Sequence, residues 1–298
     1  MNRGIEPCFI SVVGFSARDT LFRVKRLLSV MLVLGVLLAV TGLAFARRQP
    51  ALPDPNGYDR LVALAVGIPD DVTYLPRTNS PAVIAFALGH TNLMAEVAAT
   101  LTLPSQIPLQ YSLDDPRRTA ATGADLRRLA KALLACALHR ETVNDSTGST
   151  EGCLASIALG QQAARGGLMI DFFIGSAIQI FSLSQLSNSI TGLDAVSIQR
   201  ATEGLTRLRA SQEPLGNFTR RERRWILVGS GWWQDWDALT ELPTDLLRTT
   251  TKASLVGSFA ERFTDLEQAY AGTEAALQRR SLELARPEAP QAPTPVRP

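Results

Sequence analysis

Histidine is nearly missing from this 298-residue chain: only His90 and His139 occur, beside three cysteines. There is no His-Glu-x-x-His and no Cys-x-x-Cys pair, so the usual zinc constellations lack their ligands. No Gly-rich loop follows a strand pattern, which leaves nucleotides without a phosphate cradle. Gly229-Ser230-Gly231 lacks the spacing of a nucleophile elbow. These absences predict no metal and no cofactor, and they make a hydrolase the least favoured reading, although counts alone leave a Ser–His–Asp arrangement open. His90 follows Gly89 in an apolar helix, and His139 falls in the last turn of another, where an imidazolium suits the helix C-terminus. Both read as structural.

An excess of one charge is missing too. The 30 Lys and Arg nearly balance 28 Asp and Glu, for a net +2. Residues 1–26 hold five basic and two acidic side chains, which leaves the rest of the chain at −1. A near-neutral domain offers no basic face, and nucleic acid is excluded as a partner.

What the chain does have is one long uncharged run, Leu27 to Ala46, LLSVMLVLGVLLAVTGLAFA. As a helix it spans about 30 Å, the thickness of a bilayer's hydrocarbon core. Twelve of its residues are Leu, Val or Phe, which together favour insertion by about 4–7 kcal/mol. Arg18, Arg23, Lys25 and Arg26 precede it, whereas Arg47 and Arg48 follow, then Asp54 and Asp59. The bias predicts a cytoplasmic N-terminus and a single-pass protein of the cell membrane, with its C-terminal domain extracytoplasmic. Membrane lipid is then a partner through residues 27–46. Ala44-Phe45-Ala46 also reads as a signal-peptide cleavage site, but the apolar run is long for one and Arg would follow the cut. Gly14-Phe15-Ser16 is a faint prepilin-like leader, separated from the apolar run by Arg23, Lys25 and Arg26.

The pattern predicts five segments: a short basic cytoplasmic stretch (1–26), a transmembrane helix (27–46), a Pro-rich spacer (47–55), an α-helical domain (56–286) and a disordered Pro-rich tail (287–298). The fold class is all-α, a helical-bundle ectodomain. Asn56 with Asp59 caps a helix to about Val66. A second helix runs from Ser80-Pro81 to about Leu101. Pro104 to Leu113 alternates Ile107, Leu109, Tyr111 and Leu113, and with Pro108 inside it reads as an extended arm across helices. Thr122 starts a helix with a stripe of Leu126, Leu129, Leu133 and Cys136. A polar loop, Thr142 to Thr150, leads into a helix from Glu151 to about Arg165. Ile198, Ala201, Leu205 and Leu208 mark another helix. Thr219 with Glu222 forms a capping box before Trp225. All four tryptophans fall between Trp225 and Trp236, beside Arg220, Arg221, Arg223 and Arg224; the cluster reads as Arg–Trp stacking or as a membrane-interface contact.

Leu168 to Leu186 is the most apolar stretch outside the anchor. Asp171, Gln179, Gln185 and three serines offset its ten Leu, Ile and Phe residues, so a buried central helix is favoured over a second span. From Leu255 to Leu284 a near-heptad stripe closes the bundle or offers a pairing surface for a protein partner.

Arg165, Gly166, Gly167 and Asp171 are the candidate ligand or core-polar residues. A carboxylate in an apolar setting could anchor a ligand; alternatively Asp171 accepts backbone N–H groups at a helix start and pairs with Arg165. Cys136 and Cys153 flank the polar loop, and a disulfide or two buried thiols both fit.

The juxtamembrane Pro55-Asn56-Gly57-Tyr58-Asp59, the Asn92-Leu93-Met94 helix, Pro108-Leu109-Gln110-Tyr111-Ser112 and the run Arg165 to Asp171 with Gly175 form an ordered set. In it the chain resembles an uncharacterised bacterial family of single-pass proteins with helical ectodomains. That resemblance implies a shared helical core around Gly166-Gly167 and Asp171, and no activity. Taken together, the expectation is an interaction or scaffold module of the bacterial envelope, with an apolar ligand pocket as the alternative and a hydrolase third.

Overall fold

The computed structural model describes residues 25, 27–38, 41, 51–74, 80–109, 120–229 and 250–285. Among these every regular element is helical. Residues 1–24, Tyr111 and Leu113, Trp232, Trp233 and Trp236, and the Pro-rich tail lie outside the described residues. The chain divides into two units, Met1–Arg48 and Gln49–Pro298.

In the first unit, α1 (Leu27–Leu38) is an apolar helix shorter than a bilayer span. Its large apolar side chains are 54–71% exposed on every side. The only described helix long and apolar enough to cross a membrane is in the second unit, Met169–Gly192, and half of it is buried in the bundle. A core helix of a soluble protein meets the same criterion.

The second unit begins with α2 (Gly57–Val66). Asn56 caps it, its Oδ1 accepting the Tyr58 N–H at 3.2 Å. Where one helix was expected over 80–101, two form: α3 (Pro81–Gly89) and α4 (Leu93–Leu101), bent by 64° at the break. Gly89, His90, Thr91 and Asn92 are poor helix formers in sequence. The His90 Nδ1 lies 2.9 Å from the Phe86 carbonyl, and its ring stacks on Phe86 at 4.2 Å, which terminates α3.

α5 (Ala120–Thr142) and α6 (Ser146–Ala164) are joined by three residues rather than a nine-residue polar loop. Asp145 explains the difference: its Oδ1 accepts the Gly148 N–H at 2.8 Å, and the Ser/Thr/Gly run becomes the first turns of α6. Asn144 makes the turn with φ 58°, a conformation asparagine tolerates better than most residues.

α7 (Met169–Ser189), α8 (Ala195–Ala210), α9 (Leu215–Gly229) and α10 (Thr250–Ala285) complete the unit. α6 is central: α7 packs on it along its length, with α5, α8 and α4 around it, while α10 lies against α7 and α8. Gly160 and Gly175 set the α6–α7 distance. A Cβ on Gly175 would overlap the Gly160 carbonyl oxygen and stand 2.8 Å from the Ala164 Cβ. Ser156 and Ser182 then hydrogen-bond across the same interface at 2.7 Å.

The middle of the stripe expected on the last helix is internal, while Leu284 at its end is exposed. Phe259, Leu266, Tyr270, Thr273 and Leu277 are all buried. Phe172 of α7 is the hub, with its ring 4.7 Å from Phe259 and 5.3 Å from Phe218 of α9. A buried polar chain fixes the register. Tyr270 Oη donates to Gln179 Oε1 at 3.0 Å and accepts from Gln161 Nε2 at 3.2 Å. α10 is the closing helix of the bundle.

Candidate functional site

The four residues singled out between α6 and α7 occupy one tight corner. Gly166 turns it with φ 76°, in the left-handed region that favours glycine. Its N–H donates to Glu213 Oε2 at 2.9 Å. The Leu168 N–H donates to Asp171 Oδ2 at 2.7 Å, and the Met169 N–H to Glu222 Oε2 at 3.0 Å. Two carboxylates therefore meet the positive end of α7, where a helix leaves N–H groups open. Arg221 donates Nε to the Gly167 carbonyl at 2.6 Å and forms an ion pair with Glu213. Arg165 turns the other way, its Nη2 donating to the Ser211 carbonyl at 2.9 Å.

Glu222 corrects an expectation. It does not form a box with Thr219 at the start of a helix, because α9 begins four residues earlier. From inside α9 it reaches the neighbouring helix. Glu213, Arg221 and Glu222 belong to this corner; the sequence marks Glu222 only as a cap and Arg221 only as one of an arginine cluster, because the corner groups they meet lie some 50 residues away.

The extended arm, residues 104–109, is fastened to the same corner. The Ile107 N–H donates to the Arg165 carbonyl at 3.0 Å. On its other side, Asn56 accepts the Gln106 N–H at 3.1 Å and donates Nδ2 to the Gln106 carbonyl at 2.9 Å. The Gly57 N–H adds a bond to the Pro104 carbonyl at 2.9 Å. Asn56, legible as a cap, is also the clip that holds the arm. Ile107 and Leu109 are buried and pack with Leu168 against Tyr58 and Trp225.

Between the arm, α2, α5 and α7 opens a cleft of about 540 Å³. Its walls are mostly apolar, with Val62, Leu109, Leu126, Phe173, Ile174 and Ala177 among them. Ile170 is 56% exposed at α7's first turn and also lines the cleft. Asp59, Asp171 and Arg127 supply charged groups. One oxygen of each carboxylate is already engaged, Asp59 Oδ2 by Asn56 Nδ2 at 3.2 Å and Asp171 Oδ2 by the Leu168 N–H. Among the described lining residues there is no histidine, cysteine or serine.

Cys136 and Cys153 lie away from this cleft. Both are free thiols and buried, in the two different halves of the core. The bridge that their spacing allows is not formed here. Burial pushes the Cys136 thiol up to about 11, against a small opposing effect of Arg140, and the Cys153 thiol up to about 12. Cys136 instead lines a smaller hollow of about 210 Å³ with His90, His139 and Met94. Among the described residues no three His, Cys, Asp or Glu groups are placed to hold a metal ion.

Compared with models of known protein families, with curated proteins and with solved structures, the chain matches none of them. The resemblance noted in sequence therefore gives no family assignment, and the functional reading rests on geometry.

Proposed function

We propose that this is a membrane-tethered helical protein whose cleft between the arm, α5 and α7 binds an apolar or amphiphilic small molecule. The cleft itself carries this reading: its volume falls in the range of ligand sites, and its apolar walls bear a few placed polar groups. A hydrocarbon body fits against Leu126, Phe173 and Ile174. A polar head that donates hydrogen bonds meets the carboxylates of Asp59 and Asp171. The tether is residues 27–46, supported by their unbroken apolar composition and by the exposure of α1's side chains on every side. The flanking charges support an N-terminus in the cytoplasm and a helical domain outside.

The test is photo-crosslinking of the full chain in lipid vesicles with a diazirine-bearing long-chain alcohol, whose hydroxyl can donate to a carboxylate. Adducts are expected on peptides covering 107–109 and 170–177, and Ala177→Phe, which fills the cleft, should remove them. Adducts confined to residues 27–46 would leave the tether standing and refute the cleft.

A protein-interaction role through residues 255–284 comes second. The middle of the stripe that motivated it is engaged within the bundle, and among the helix's described side chains the large apolar ones left exposed are Leu282 and Leu284, at its end.

A further inference from the structure

α3 breaks the rule that the other surface helices follow. Its sequence, PAVIAFALG, has no charged side chain on any face. A helix that is apolar all round is normally buried or in lipid. α3 is neither enclosed nor amphipathic within this unit. Val83 and Ala87 are buried and the helix packs on α5, yet Pro81, Ala82, Ala85 and Leu88 form an outward stripe, with Leu88 60% exposed. By contrast α8 turns Arg200, Glu203 and Arg207 outward.

We infer that α3 is a membrane-docking helix that lies in the interface of the bilayer holding the tether, with the Pro81–Ala82–Ala85–Leu88 stripe against lipid. This rests on the tether reading above. Composition and shape agree on a shallow position. α3 and α4 together are apolar enough for a membrane segment, but each has nine residues and they bend by 64°. Nine helical residues cover only about 14 Å, so neither alone crosses a bilayer. After the bend Thr91, Asn92 and Glu96 are exposed polar groups that turn the chain back to water. The stripe is small-sided and uncharged, so laying it against lipid desolvates no charged group. The occupant it fits is a fluid apolar medium. The spacer supplies proximity: residues 47–55 extend to at most about 30 Å, which keeps the domain near the surface and lets weak interfacial affinity suffice.

The experiment uses the full chain with Cys8→Ser, reconstituted in phosphatidylcholine–phosphatidylglycerol vesicles. The buried thiols of Cys136 and Cys153 are left in place. An environment-sensitive fluorophore is attached at Leu88→Cys, separately at Ala82→Cys, and at Thr206→Cys on α8 as a water-facing control. Headgroup-level nitroxide lipids should quench the labels at 88 and 82 at least about twofold more than the label at 206. Aqueous iodide should show the opposite order. Flotation of the same vesicles reports the tether. If the protein floats but all three labels respond alike to both quenchers, the docking helix is overturned and the tether stands. If the protein does not float, the tether fails and the inference falls with it.

Discussion

Asn56 and Gln106 clasp each other through both ends of one side-chain amide, 50 residues apart: Asn56 Nδ2 donates to the Gln106 carbonyl, and Asn56 Oδ1 accepts the Gln106 N–H. The same Oδ1 caps α2. One buried side chain thus starts a helix and fixes the wall of the cleft.

Asn56→Ala should cost about 2–3 kcal/mol, since a cap is lost and two arm groups lose their partners. Asn56→Asp keeps the acceptor, loses the donor and places a second carboxylate beside Asp59, so it should rescue only part of that. Denaturant midpoints check both. An unchanged midpoint in Asn56→Ala would show that the arm is held without the clasp.

Gly175→Ala should destabilise the domain by about 1–3 kcal/mol through overpacking, because the new methyl meets the Gly160 carbonyl and the Ala164 side chain. Gly216, with open space around its Cβ position, is the control. Gly216→Ala should shift the thermal midpoint little.

Such contrasts mark what a sequence displays and what it conceals. The stripes of α5, α8 and α10 repeat every three or four residues, and the structure buries Leu129, Ile198 and Leu266 accordingly. Asn56 and the arm were visible as a cap and an extended run. The start of α6 was hidden because Ser146 to Thr150 has the composition of a loop, and only the capping of Gly148 by Asp145 makes it helical. The α3–α4 break was hidden because an apolar pattern continues across it. At the candidate site Asp171, Gly166 and Gly167 stood out as unusual residues in an apolar run. Glu213, Arg221 and Glu222 did not, since a charged residue meant for a partner 50 positions away looks like any surface charge.

Tyr270→Phe should lower stability by about 1–3 kcal/mol. It leaves Gln179, only 2% exposed, without the hydroxyl its Oε1 accepts from. Burial raises the Tyr270 phenol above its ordinary value of 10.0. The unfolded tyrosine ionises first, so stability should also fall as pH rises past about 10. Tyr270→Phe should be the flatter of the two proteins in that range, as read by unfolding at increasing pH.

The thiols act at lower pH. Their folded values, about 11 for Cys136 and about 12 for Cys153, exceed the ordinary 9.0. The folded state keeps protons that the unfolded state releases. The contribution is complete below pH 9 and is lost as pH climbs toward the folded values, at about 1.4 kcal/mol per pH unit for each thiol. Cys136→Ala and Cys153→Ala should each remove one share of that slope. A bridged protein would show no such slope, and denaturing alkylation without reductant would add one group, at Cys8, rather than three.

The corner at Gly166-Gly167 also decides how this domain can be dissected. Its amides are answered by Glu213, Asp171 and Glu222, the Gly167 carbonyl by Arg221, and the Arg165 carbonyl by the arm. A fragment made of α6 and α7 alone would lose Glu213, Arg221, Glu222 and the arm together. The most closely packed hairpin among the described residues is therefore not a minimal module. Deletion series from either end should give insoluble products well before they reach it, and point substitution is the way to map this protein.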